Sequence, residues 1–160
     1  MCRRKDYDFN RFCEKMADGI DYSRIQENKI LWQNLQNVAQ NYNVAILSNN
    51  SRPHIAKVLN RLFHCSVEEV EQNGIKVFDI SSTEKDGHFH PKQSDDGLEI
   101  FMQRSQFLPE ESLLFDDVLL NIEAAQKIGM HGVLINEEQP LMRALRPFLT
   151  TAVNKGKVYE

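Results

Sequence analysis

The chain has 160 residues, enough for one domain with a real core and too few for two comfortable ones. With 41% apolar and 26% charged residues it is not a mainly disordered protein, and a formal charge of −4 with a pI near 5.7 argues against dominant electrostatic binding to nucleic acid or an anionic membrane. Cys2, Cys13 and Cys65 form neither a disulfide framework nor a zinc pattern, and with no run of about eighteen apolar residues and no secretory leader we expect a cytoplasmic protein.

Phe9, Phe12, Cys13 and Met16 fall at i, i+3, i+4 and i+7, so the spacing predicts one packing face of a short first helix. Ile20-Asp21-Tyr22-Ser23 reads as a connection, after which Leu31, Leu35, Val38 and Tyr42 predict a second helix. Val44-Ala45-Ile46-Leu47 is a short apolar run, expected to be a strand buried on both faces. Through Ser48-Asn49-Asn50-Ser51 it enters a helix starting near Pro53, with Ile55, Val58, Leu59, Leu62 and Phe63 as its stripe. Residues 66–72 read as a brief helix closed by Asn73-Gly74, residues 75–80 as a strand, and residues 81–93 as a polar loop. Leu98, Phe101, Met102 and Ser105 then mark a helix entered through Asp95 and Asp96, whose charges suit its N-terminal dipole.

The next stretch, residues 112–125, runs from an apolar strand through Asp116-Asp117 into an amphipathic helix capped near Gly129. His131-Gly132-Val133-Leu134-Ile135 predicts a last strand, and Leu141, Leu145, Phe148 and Leu149 a last helix, followed by a polar tail over residues 151–160. Strands alternating with helices predict an α/β domain: a parallel sheet with helices on both faces, joined by right-handed crossovers.

Three polar positions sit where such a sheet gathers ligands, at the carboxyl ends of strands and the starts of helices. Ser48, with the N–H groups of Asn49 and Asn50, would hold phosphate oxygens at a helix N-terminus. Lys92 would neutralise phosphoryl charge, and the Asp116-Asp117 pair would hold Mg²⁺ through carboxylate oxygen. Taken singly each has a plainer use: Ser48 as a turn residue, Lys92 as a solvated charge, the acid pair as a helix cap. Their order along the chain is what points to phosphoryl chemistry.

In that order the chain resembles the haloacid-dehalogenase-like superfamily of phosphohydrolases. Residues 44–50 resemble its second motif, Lys92 its third, and Leu113-Leu114-Phe115-Asp116-Asp117 with Asn121-Ile122, Ala125 and Gly129 its fourth. The resemblance runs over residues 7–150 and is closest to the pyrimidine 5'-nucleotidase-like branch, with the magnesium-dependent phosphatases a looser match. It implies a three-layer Rossmann-like domain over residues 1–150, with residues 1–28 as a cap remnant. It also implies that Ser48 binds phosphate, Lys92 stabilises it and Asp116 and Asp117 serve the Mg²⁺, with a phosphorylated small molecule as the ligand.

The departure lies at the front. The family's nucleophile is the first Asp of a DxDxT motif closing an N-terminal apolar strand, and no such strand precedes the first helix here, so the resemblance implies truncation and an inactive or impaired phosphohydrolase. Asp6-Tyr7-Asp8 has the spelling, but its charged approach, Cys2-Arg3-Arg4-Lys5, does not suit a buried strand. Asp79, before Ser81-Ser82-Thr83, lacks the second Asp and follows the second motif. His88 and His90 could share a metal, though two loop ligands are a weak signal. Alternatives are an active phosphohydrolase, a regulatory protein on the same scaffold, and a receiver-like phosphoacceptor, which the late position of the acid pair disfavours.

The family's missing strand belongs between those ending at Ser48 and Asp116. We therefore expect the gap to be closed by the sheet itself, by Lys157-Val158-Tyr159, or by another chain in a homo-oligomer or partner complex.

Overall fold

The structure is a computed structural model that describes residues 9–94 and 96–153, with side chains for 11–94 and 96–149. It is a mixed α/β protein whose helices surround short parallel strands. The sequence candidates Asp6, Asp8, Asp95 and Lys157-Val158-Tyr159 lie outside the described residues.

Helices α1 (Phe9–Asp18) and α2 (Lys29–Ala39) open the described chain, the second capped by Asn28, whose side chain accepts from the Leu31 N–H. Strand β1 (Val44–Leu47) then leads into α3 (Arg52–Phe63), which takes Pro53 in its first turn, where a missing N–H costs nothing. Helix α4 (Val67–Gln72) starts on a capping box: Ser66 accepts from the Glu69 N–H, and the Glu69 carboxylate accepts from the Ser66 N–H. Strand β2 (Ile75–Phe78) pairs parallel with β1, Val44 opposite Ile75 and Leu47 opposite Phe78.

After β2 the chain does not continue extended to residue 80 as the apolar run suggests. Asp79 accepts from the Ser81 N–H and hydroxyl and caps a 3-10 turn over Ile80–Thr83, so this carboxylate is occupied in shaping the backbone. The expected polar loop contains a small antiparallel hairpin, β3 (Glu84–Lys85) with β4 (His88–Phe89). Its two-residue turn, Asp86-Gly87, has positive φ at both positions (54° and 77°), the backbone that Asp-Gly supplies at low cost.

Helix α5 (Gly97–Ser105) buries Leu98, Ile100, Phe101 and Met102. Strand β5 (Leu113–Asp116), helix α6 (Leu119–Lys127) and strand β6 (His131–Leu134) follow, with β5 and β6 parallel, Leu113 opposite His131 and Asp116 opposite Leu134. The single last helix expected from periodicity is two, α7 (Leu141–Ala144) and α8 (Arg146–Val153). Pro147 accounts for the break, because it has no N–H to give to the Arg143 carbonyl and its ring crowds that oxygen.

The four longer strands form two parallel pairs, β1–β2 and β5–β6, and no strand joins them among the described residues. Both pairs nevertheless share their covering elements. Ala45 and Leu47 of β1, Phe78 of β2 and Leu114 of β5 all pack on one cluster built from Leu98, Phe101 and Met102 of α5 with Ala125 and Met130. Val44 and Ile46, alternate by the two-residue period of a strand, pack instead on the α3–α4 cluster of Ile55, Leu59, Phe63, Val67 and Val70. On β5, Phe115 meets Phe148 of α8 edge-on at 6.1 Å, and Phe148 in turn meets Tyr42 at 5.6 Å, just before β1.

The burial of two helices refines the sequence reading. On α1 it is Cys13 and Ala17 that are buried, while Phe12 and Met16 stand exposed. On α6 the buried residues are Asn121, Ile122 and Ala125, and Val118, Leu119 and Leu120 at its start are exposed. Cys13 and Cys65 are free thiols, and no described helix is long and apolar enough to cross a membrane.

Candidate functional site

The carboxyl ends of β1 and β5 meet at one lysine. At the end of β1, the Ser48 N–H donates to the Phe78 carbonyl (3.0 Å), which carries the parallel ladder one residue further. The Ser48 hydroxyl accepts from the Asn50 N–H at 3.1 Å, bending the chain towards α3. Ser51, the residue before α3, makes no side-chain capping bond, so the positive end of that twelve-residue helix is not closed by its own cap.

Asn49 reaches across to the loop before α5. Its amide oxygen accepts from the Lys92 N–H (2.9 Å) and its nitrogen donates to Gln93 Oε1 (3.0 Å). The loop is wound tightly from its other side as well: the Ser94 N–H and hydroxyl both donate to the Pro91 carbonyl (2.8 and 2.7 Å), and the Gly97 N–H donates to Ser94 Oγ (3.1 Å). A Cβ on Gly97 would collide with the Pro91 carbonyl, so the close approach needs glycine. His90 Nδ1 lies 3.2 Å from Asp96 Oδ1, which ties the next turn down, and His88 is exposed.

Held in this way, Lys92 donates through Nζ to Asp116 Oδ2 at 2.5 Å, with side chains only 13% and 5% exposed. The other oxygen, Asp116 Oδ1, accepts from the Val118 N–H and from Asn121 Nδ2, both at 2.9 Å. Burial pushes the Asp116 carboxyl up, but bonds from Lys92, Asn121 and Val118, together with the lysine charge, outweigh it and hold the carboxyl below the ordinary aspartate value. Asp116 is therefore ionised at neutral pH.

The buried amide oxygen of Asn121 has no hydrogen-bond partner among the described residues. Buried acceptors are ordinarily satisfied, so this atom, on an amide already bonded to Asp116, is an acceptor that a bound water or ion would satisfy. Asp117, the first residue past β5, is exposed. Among the described residues no three His, Cys, Asp or Glu side chains gather. Mg²⁺ needs no such cage, since it keeps several waters and takes one or two carboxylates, and Asp116, Asp117 and the Asn121 oxygen are donors of that hard kind.

Of the sequence candidates, Asn49, Lys92 and Asp116 come together, Ser48 precedes Asn49 and accepts from the Asn50 N–H, and Asp117 follows Asp116 on the exposed surface. Asn121 and Gln93 are further members. Asn121 follows Asp116 by five residues, which sets it one turn into α6 and back over the strand end. A scan against protein-family models finds no match to this sequence, and a search of curated proteins finds none.

Proposed function

We propose that this chain is a haloacid-dehalogenase-like domain of phosphohydrolase type that binds phosphate and Mg²⁺ at the Ser48–Lys92–Asp116 corner without turning over a phosphate ester. In this reading the architecture is a three-layer Rossmann-like domain with one central strand position not filled among the described residues, and the common cover that α5 provides for β1 and β5 supports it. The single observation that carries the reading is Lys92 seated by Asn49 on one strand end and bonded to Asp116 on the other.

Lys92 and the start of α3 would receive the phosphate oxygens, with Ser48 between them. Asp116 and Asp117 would hold Mg²⁺, which when bound neutralises phosphate charge and polarises a phosphoryl oxygen. Turnover needs a nucleophile facing Lys92. Among the described residues, Asp116 is already ion-paired there and Asp79 caps a turn, so neither serves.

The test is hydrolysis of p-nitrophenyl phosphate with and without Mg²⁺ by the wild type and Asp116→Asn, alongside thermal shifts with Mg²⁺ and inorganic phosphate. The expected result is background turnover in both proteins, with ligand stabilisation in the wild type that Asp116→Asn loses. Turnover abolished by the substitution would replace the binding reading with an active phosphohydrolase. Neither turnover nor stabilisation would remove the site. An interaction module on the same scaffold is the second reading, favoured by the inner edges of β1 and β5, which no strand pairs among the described residues.

A further inference from the structure

Lys92 and Asp116 satisfy each other. The ammonium stands 2.5 Å from Asp116 Oδ2, and the two side chains are 13% and 5% exposed, so the pair closes on itself away from solvent. The other carboxylate oxygen is committed as well. Asp116 Oδ1 accepts from the Val118 N–H and from Asn121 Nδ2, which uses both of its lone pairs, so a metal on this carboxylate would take Oδ2.

That oxygen serves two cations only at a cost. Mg²⁺ bonds oxygen at about 2.1 Å, so an ion on Oδ2 would stand no more than about 4.6 Å from the lysine nitrogen while the lysine bond is kept. In so buried a setting, two positive charges at that distance repel strongly. Phosphate alone meets the mirror problem. An anion on Lys92 would lie beside the Asp116 carboxylate, with Asp117 next in the chain. In each case the opposing charge is one that the other ligand neutralises.

We propose that the Lys92–Asp116 bond is a lock on this corner, which admits Mg²⁺ and phosphate as a pair and holds each of them only weakly alone, so that its ligand is a metal-chelated phosphate. The inference rests on the reading of the corner as a phosphate and Mg²⁺ site, and adds how the two are coupled. Asp116 Oδ2 exchanges the ammonium for the metal as Lys92 exchanges the carboxylate for a phosphate oxygen, so neither buried charge is left uncompensated. Two neighbours suit the exchange. Asn49 holds Lys92 by its backbone N–H, a bond that survives when the lysine side chain turns. Asn121, 3% exposed and bonded to Asp116 through Nδ2, has an amide oxygen without a partner among the described residues, an acceptor suited to the metal or to one of its waters.

The experiment titrates the full chain calorimetrically with inorganic phosphate, without and with excess Mg²⁺, and with Mg²⁺, without and with excess phosphate. Each ligand should tighten the other about tenfold or more, by one common factor, because linkage is reciprocal. Direct attraction between the two ions also couples them, so the lock is read by NMR on its own two groups. The Asp116 carboxylate carbon and the Lys92 ammonium should shift together when both ligands are added, and neither should move with Mg²⁺ or phosphate alone at the same concentration. Lys92→Met removes the competing cation, so it should bind Mg²⁺ alone about tenfold more tightly than the wild type and gain more thermal stability from it. The wild-type resonances decide the matter if that variant does not fold. Either resonance moving fully with a single ligand, or a folded Lys92→Met that binds Mg²⁺ no more tightly than the wild type, overturns the lock and leaves the site standing. Independent binding of the two ligands does the same. No binding of the two together removes the site, and the lock with it.

Discussion

β2 lies on the outer side of its pair and β1 on the inner side, yet it is β2 that is sealed. Ile75 and Val77 are 0% and 7% exposed, whereas all of Val44-Ala45-Ile46-Leu47 is only half-buried. The cause is what lies alongside. β2 shares its cluster with Val67 and Val70 of α4, while the inner edge of β1 has no strand next to it among the described residues. Leu113, Leu114 and Phe115 of β5 are half-buried in the same way. Apolar composition records what a strand is suited to; exposure records whether its neighbour is present.

The contrast can be broken first where a lysine ties the carboxyl ends of the inner strands. Lys92→Ala leaves the Asp116 carboxylate buried without its cation, and urea unfolding should show a loss of about 3 kcal/mol or more. Next, Ile75→Ala in sealed β2 should cost about 3 kcal/mol, and Ile46→Ala in half-buried β1 about half as much, because less surface is lost from contact and the site can be rewetted. Equal costs would mean that the inner edge is covered in solution. Gly97→Ala pushes the Pro91 carbonyl and hence the Lys92 loop, with an expected loss of about 2 kcal/mol and a change in the Lys92 backbone amide resonance.

The smallest effect is with pH. The folded Asp116 carboxyl titrates below its unfolded value, so its contribution is complete above about pH 4 and is lost as pH falls through the lower folded value. Urea midpoints of wild type and Asp116→Asn should therefore converge in acid. Midpoints that stay parallel down to about pH 2 would show that the Lys92 bond does not favour the ionised form.

Much of the fold was legible because periodicity is a local signal: α2, α3 and α5 and the apolar runs of β1 and β5 stand close to where spacing predicts them. What was missed has physical reasons. The β3–β4 hairpin is polar and therefore silent to apolar patterning, although Asp86-Gly87 announced its turn. Pro147 was overlooked inside an otherwise continuous stripe, and Phe12 and Met16 show that a helical stripe does not say what covers it. At the site, Ser48, Lys92 and Asp116 were readable as chemistry. The task of Asn49, seating a backbone N–H 43 residues away, has no local signature, nor has the unpartnered oxygen of Asn121.

Phe148 has a bearing on cooperativity. No backbone ladder crosses between the strand pairs among the described residues, so their unfolding is coupled through side chains: Phe148 against Tyr42 and Phe115 on one face, and Phe101, edge-on to Phe78 at 5.0 Å, on the other. A domain fastened in this way resembles two foldons joined by aromatic rivets. Loosening Phe148 should let the β5–β6 half exchange its amides through openings that leave the β1–β2 half closed, whereas an intact ladder would make both halves open together.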